Sequence, residues 1–363
     1  MMNARLSIPV LCLLMLPFSA RGADVFFHGE AQGAFVSNTF LDDTKEPDVL
    51  LSPGLSLEVD FARILAAGYN GHAEVYTMHR DLFFHEHGLF FLAAPSFGDD
   101  DQHEVIVEAS LRTQRNMPRF GQVNLLAPAL STALHLEPAS FLFWSLSASG
   151  EYRWFYEDNR SNSVDGWVRT ELTFTAPTRT TISPRVEYGL RYYTLAVPGT
   201  DDMDQQLIAG LHLSQGLGAR TGIGADYAFT HNFTDSTLVQ RQLDAEELNF
   251  TGEEFLFSGH GTALTLTHFF TDGFSGRLGV HYEQRTYDGW DALDEAGLST
   301  PDDRLDHRLW ATGELEYHWV PGGDDGAVEL NLSLGYEYLR QWSNDLWYDT
   351  DRHMAHLTFG LDI

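Results

Sequence analysis

AVELNLSLGYEYL, residues 327–339, decides how this chain is built. Val328, Leu330, Leu332, Leu334, Tyr336 and Tyr338 fall on one face of an extended segment, and Glu329, Asn331, Ser333, Gly335 and Glu337 fall on the other. A period of two is the signature of a β-strand with one apolar and one polar face. LSPGLSLEVDF (51–61) and ISPRVEYGLRY (182–192) repeat it, as do 144–156, 207–213, 223–229, 274–282 and 309–319. The last ten residues, MAHLTFGLDI (354–363), do so again, with Ala355, Leu357, Phe359, Leu361 and Ile363 on one side. Helical stripes of period 3.6 are essentially missing.

Two architectures alternate in this way. A soluble sandwich or β-solenoid turns the apolar row into a dry core, whereas a membrane barrel turns it toward lipid and keeps the polar row in the lumen. Three features favour the barrel. The strands run to roughly 9–13 residues, the length of a tilted bilayer crossing. Tyr and Trp sit near the ends of the apolar rows, as in Trp154 and Tyr156, Tyr317 and Trp319, or Tyr336, Tyr338 and Trp342. The polar rows carry whole charges, which a dry core would not tolerate. The fold class expected is therefore all-β, an antiparallel up-and-down transmembrane β-barrel. Short turns at 177–179, 271–273 and 321–326 alternate with longer segments at 39–47, 195–204, 231–252, 287–303 and 342–351, so the short turns are assigned to the periplasmic side.

Strands are clear at 24–38, 48–62 and 68–80, and from residue 139 onward. Between 81 and 138 the alternation weakens, and strands at 88–96, 104–113 and 125–136 keep the up-down parity. The total expected is about sixteen strands, with fourteen as the alternative. The last strand must pair with the first, because an open sheet edge has no partner in lipid.

The N-terminus sets the compartment. Arg5, the apolar run from Leu6 to Phe18 and the small residues Ala20 and Gly22 read as a secretory signal peptide over 1–22, leaving 23–363 as one barrel domain. The only cysteine, Cys12, falls in that segment, which removes disulfides, thiolate metal sites and thiol nucleophiles from consideration. With 52 Asp and Glu against 22 Lys and Arg, nucleic acid is not an expected partner. Taken together, these patterns resemble Gram-negative outer-membrane β-barrel proteins, porin-like in character and generically similar to exopolysaccharide-export barrels. The resemblance implies residence in the cell outer membrane. It also implies contact with outer-membrane lipid and lipopolysaccharide and insertion by the barrel assembly machinery. Members of that class usually finish on an aromatic residue; here the last residue of the sequence is Ile363 and the nearest aromatic on its face is Phe359.

Function then rests on the lumen, since a barrel alone specifies none. Parity places Glu58, Asp60, His72, Glu74, Glu108, Arg112, Glu314, Glu316, His318, Glu329 and Glu337 inward. Three consecutive strands add Glu151 and Arg153, Arg169 and Glu171, and Arg185, Glu187 and Arg191, a mixed-charge ladder along one wall. Such a ladder either selects solutes at a constriction or neutralises itself and stiffens or closes the bore. Inward aromatics, Phe143, Phe155, Tyr193 and Trp310, are sparse, which argues against a continuous aromatic track for sugars.

The loops are acidic, with Asp244, Glu246, Glu247, Asp288, Asp291, Asp294, Glu295, Asp349 and Asp351. None has the spacing of a twelve-residue calcium loop, so they read first as solvated loops, with divalent-cation binding as the alternative. HRDLFFHEHG (79–88) carries His79, His85 and His87 as weak metal candidates, with His85 and His87 on one strand face and no third ligand identifiable. No G-x-S-x-G or H-E-x-x-H motif supports an enzyme, and no cofactor is expected. The leading expectation is a channel for small solutes or ions, cation-preferring because the inward residues are mostly acidic. The alternatives are an exit barrel served by periplasmic export proteins, and a non-conducting barrel that docks surface machinery.

Overall fold

A computed structural model describes residues 24–39, 46–98, 101–117, 121, 124–157, 161–195, 203–233, 255–294, 296–321 and 328–363. The expected signal peptide lies outside them. The strands are β1 (Asp24–Val36), β2 (Asp48–Ala62), β3 (Leu65–Tyr76), β4 (Phe84–Ala93), β5 (Ser96–Phe97), β6 (His103–Asn116), β7 (Leu125–Ala139), β8 (Leu142–Phe155) and β9 (Ser163–Ala176). They continue as β10 (Thr180–Tyr193), β11 (Met203–Gly216), β12 (Thr221–Asn232), β13 (Ser258–Thr271), β14 (Phe274–Leu293), β15 (Ser299–Trp319), β16 (Glu329–Ser343) and β17 (Thr350–Asp362). β5 is a two-residue segment beside the start of β6. The other sixteen form one closed antiparallel barrel.

Closure joins β1 to β17 in unbroken register from His28↔Asp362 to Val36↔Met354. Phe27 and Ile363 exchange backbone hydrogen bonds of 2.9 Å in both directions. The apolar row of the final strand therefore faces outward, continuous with those of β16 and β1. Leu264, Leu278, Leu332, Leu334, Leu357 and Phe359 are exposed on this wall. An apolar exterior on a sheet with no edge is the arrangement that lipid requires.

Two boundaries differ from the sequence reading. β3 and β4 lie about four residues earlier than expected, because Asp48 captures the chain after β3. Its carboxylate accepts from the backbone N–H groups of Thr77, Met78 and His79, and from the Thr77 hydroxyl. A 3-10 turn, Arg80–Leu82, follows directly. Most of the stretch 287–303, expected as a loop, is instead a ribbon past the barrel, with β14 running on to Leu293 and β15 beginning at Ser299. No lipid bounds that ribbon, so no apolar row marks it in the sequence.

Asp48 also sets the chemistry of His79. Partial burial opposes the charged imidazole, but hydrogen bonds of 2.9 Å to Asp48 and 2.6 Å to Glu46 outweigh it and raise the His79 pKa. A histidine pKa raised by folding adds stability that is complete below the unfolded value, about 6.5, and lost as pH climbs through the folded value. Hydrogen-exchange protection factors at residues 77–79 are accordingly expected to fall across that window. Protection that is flat with pH would remove His79 from the anchor.

Most fully buried side chains gather at the long-loop end. They include the apolar cluster of Ala34, Val36 and Leu50 and that of Leu125, Ala127 and Phe155. Buried polar groups are there too: Asp48, Asp165, Arg191, Asp204, Arg304 and Asp306. The packed part of the interior is thus the outer mouth, while the short-turn half is lined by polar side chains in a more open vestibule.

Candidate functional site

The lumen is built by register. Residues paired across antiparallel strands share a face, so each hydrogen-bonded pair carries an inward assignment to the next strand. The expected ladder resolves into two separate groups. In the upper group, Arg153 Nε donates to Glu151 at 2.7 Å and lies 3.2 Å from Asp165. Arg191 grips the same Asp165 through Nε at 3.0 Å and Nη2 at 2.9 Å. Arg112 extends the chain sideways, reaching Glu151 at 3.3 Å and Glu86 at 3.2 Å. Glu86, Arg112, Glu151, Arg153, Asp165 and Arg191 thereby form one connected network across β4, β6, β8, β9 and β10. Asp165 is its buried centre, and parity alone did not single it out.

The lower group is looser. Arg169 pairs with Glu171 on its own strand, while register sets Arg185 opposite Glu171 and Glu187 opposite Arg169. Arg169 and Glu187 line a lumen cavity of about 720 Å³. One side of that cavity is a wall of small residues, Ser131, Ala133, Ser147 and Ser149 on β7 and β8. The other side carries Arg285 and Arg308 from β14 and β15, both overlooked in the sequence because that part of the wall is distant along the chain. Arg285 lies 2.8 Å from Glu283, and Arg308 lies 3.8 Å from Asp306.

The cavity has an aromatic roof. Trp167 faces inward from β9 and lies flat over Gly189, where a Cβ would overlap its ring. Phe255 packs on Trp167 at 4.8 Å between centroids and lies 4.9 Å from the Arg191 guanidinium carbon. Phe257 sits 4.1 Å below Arg285, and its carbonyl accepts from Gln206. Residues 255–257 therefore fold inward from the segment between β12 and β13 and narrow the mouth. Parity had identified few inward aromatics; Trp167 and these loop residues add to them at the outer mouth. Replacing Phe255 by Ala is expected to raise single-channel conductance by widening the passage under this roof. An unchanged conductance would move the constriction elsewhere.

Below the cavity the lining turns acidic. His28 bonds Asp362 at 2.6 Å and His318 lies 2.5 Å from Glu329. A hollow of about 610 Å³ at the short-turn rim is bordered by Glu30, Glu314, Glu316 and His318. Glu58 and Asp60 face the lumen near the same rim, paired in register with Gly68 and Ala66. Glu74 accepts from Tyr76 at 3.0 Å, and Glu337 from Arg352 at 2.7 Å, nearer the outer mouth.

The weak metal candidates do not converge. His79 belongs to the Asp48 anchor, whereas His85 and His87 lie on the outer wall of β4, 3.0 Å apart. Among the described residues, no group of three or more His, Cys, Asp or Glu is arranged to hold a metal ion. The acidic loop residues Asp244, Glu246, Glu247 and Glu295 lie outside the described residues.

No family model matches the chain, and no curated protein matches it. Solved structures do. The chain is similar to OccAB1 of Acinetobacter baumannii, at 10% identity and TM-score 0.51, over 94% of this chain and 96% of that one. It is also similar to a double variant of OccD1 (OprD), at 10% identity and TM-score 0.52, over 95% of this chain and 97% of that one. At such identity the likeness is one of fold. A closed sixteen-strand antiparallel barrel with an apolar outer wall is the architecture this chain shares with them.

Proposed function

We propose that the chain is a porin-like channel whose selectivity is set in the roofed lumen cavity. The observation that carries this reading is the cavity of about 720 Å³, with serines on one wall and the arginines Arg169, Arg285 and Arg308 projecting into it. A small polar solute can hydrogen-bond to the serine wall while its anionic or acceptor groups meet the guanidiniums. The same solute then enters a vestibule lined by Glu30, Glu314 and Glu316. Carboxylates predominate among the inward charges, which supports a cation preference for simple ions. The fixed arginines add a local barrier to cations at the narrow section.

The test is conductance of the refolded barrel in a planar bilayer under a salt gradient. Steady steps with a cation-selective reversal potential are expected. Arg169→Gln, Arg285→Gln and Arg308→Gln combined should move that potential further toward the cation limit. An inserted barrel that stays silent would favour the docking alternative, and one that passes a charged polysaccharide in preference to small ions would favour export.

A further inference from the structure

The lower charge group does not pair as its register would pair it. Arg169 stands directly opposite Glu187, and Glu171 directly opposite Arg185. Opposite residues bring their Cβ atoms to about 5 Å, whereas residues two apart on one strand are about 6.6 Å apart. The nearer, cross-strand pairing would satisfy all four charges. Instead, Arg169 pairs along its own strand with Glu171. Arg185 and Glu187 are left without a hydrogen bond or ion pair among the described residues.

Gly210 accounts for the departure. It faces Arg185 from β11, and the arginine side chain is laid across it. A Cβ at residue 210 would stand 2.7 Å from Nε and 2.9 Å from Cγ of Arg185, closer than real contacts allow. The seat therefore exists only while residue 210 is glycine. Arg185 leans onto it and makes no ion pair with Glu171. Glu171 then takes Arg169, and Arg169 is lost to Glu187. On its other side Glu187 stands opposite Ile208, which carries no charge.

The place where Glu187 is left gives this its consequence. Among the described residues that line the cavity of about 720 Å³, Glu187 is the one carboxylate, facing Arg169, Arg285 and Arg308. Each of those arginines lies beside an acid: Glu171, Glu283 and Asp306 respectively. An ion-paired carboxylate is neutralised at contact by its partner. One without a partner in a narrow, water-filled section is a fixed negative charge that draws mobile cations to it.

We propose that Glu187 is the cation-selecting residue of the cavity, and that Gly210 is the positioning residue that keeps it unpaired, by seating Arg185 and so diverting Arg169 to Glu171. The inference rests on the channel reading above and names the residue behind the preference. Its ligand is a small mobile cation, held weakly enough to leave again, as conduction requires. A glycine thus governs selectivity without carrying charge.

The experiment measures the reversal potential of the full mature barrel in a planar bilayer under a potassium chloride gradient. Glu187→Gln is expected to lower the cation-to-anion permeability ratio about two- to threefold, the effect of one charge acting across roughly 7 Å of screened water. Gly210→Ala alters no charge, yet should shift the ratio in the same direction by about half as much, because Arg185 returns to Glu171 and releases Arg169 to Glu187. In an Arg185→Gln background there is no side chain to displace, so the Gly210→Ala shift should vanish. A merely structural role for Gly210 would weaken the fold without moving the potential. If the wild-type barrel conducts but Glu187→Gln or Gly210→Ala leaves the potential unmoved, the inference is overturned and the channel reading stands. A wild-type barrel that inserts but stays silent overturns the channel reading and the selectivity of Glu187 together. Double-mutant cycles in urea test the pairing order without conduction. Coupling of Arg169 to Glu171 in the wild type should pass to Glu187 in Gly210→Ala; coupling that stays with Glu171 overturns the role of Gly210. Heat-modified gel migration reports folding. Should Gly210→Ala fail to fold, the wild-type cycle decides, and Arg169 coupled to Glu187 in place of Glu171 overturns the inference.

Discussion

Asp165→Ala is expected to destabilise the folded barrel by about 3–5 kcal/mol, the usual consequence of removing one partner from a buried ion pair. Arg191 is fully buried and donates twice to Asp165. Arg153 and Ser163 approach the same carboxylate at 3.2 Å and 3.0 Å. Taking the carboxylate away leaves guanidinium charge in the most tightly packed part of the lumen. Asp165→Asn keeps the volume and one acceptor oxygen, so it should cost less than the alanine variant while still losing the bidentate charge pair. Urea unfolding of the micelle-bound barrel measures both. A loss below about 1 kcal/mol, typical of an exposed pair, would mean that Arg191 is held by its other neighbours, and that the network is a chain of local contacts without a centre. The effect should also reach the channel. Arg191 supports Phe255, so the same variant is expected to make the open level noisier as well as the fold weaker.

The sequence was most legible where two solvents bound the wall. On β16 and β17, lipid outside and water inside impose opposite preferences on alternate residues, and the period of two is plain from residue 329 to residue 362. On β7 it fades. The inward residues there, Leu125, Ala127, Ala129, Ser131 and Ala133, are small or apolar, because that wall borders the cavity and the packed mouth. Lumen chemistry, not a lack of strand, erased the alternation between 81 and 138. Parity also placed the charges of the ladder on the inner face without saying which of them meet. Asp165 shares the inward parity of Arg169, yet its importance comes from register: it stands opposite Glu151 on one side and Arg191 on the other. Arg285 and Arg308 needed closure of the barrel to be brought opposite the serine wall. Phe255 and Phe257 belong to a connection whose placement no periodicity encodes.

Arg304→Ala should detach the β14–β15 ribbon from the mouth, with a loss of roughly 2–4 kcal/mol as a buried charge-assisted pair and its ring contacts disappear together. Arg304 is fully buried, and its guanidinium carbon lies 4.3 Å from the Tyr287 ring, 4.6 Å from Trp290 and 3.3 Å from Tyr348. It donates to Asp306 through Nε at 3.0 Å and Nη2 at 2.6 Å. Asp306 accepts in turn from Gln341 at 3.0 Å and from Ser343 at 2.6 Å, so the pair ties β15 to β16. Tyr348 adds the turn before β17 to the same stack. Lysine can supply the charge but neither the two-pronged geometry nor a flat surface for three rings. Arg304→Lys should therefore recover little of the loss, whereas Arg304→Met, which fills the cage without a charge, should still leave the Asp306 carboxylate short of a buried partner. Protease protection of residues 287–303 separates these outcomes. Rapid cleavage in both the alanine and lysine variants, with the barrel below still intact by gel migration, would establish the arginine as the pin of an outer ribbon; unchanged protection in the lysine variant would show that charge alone holds it.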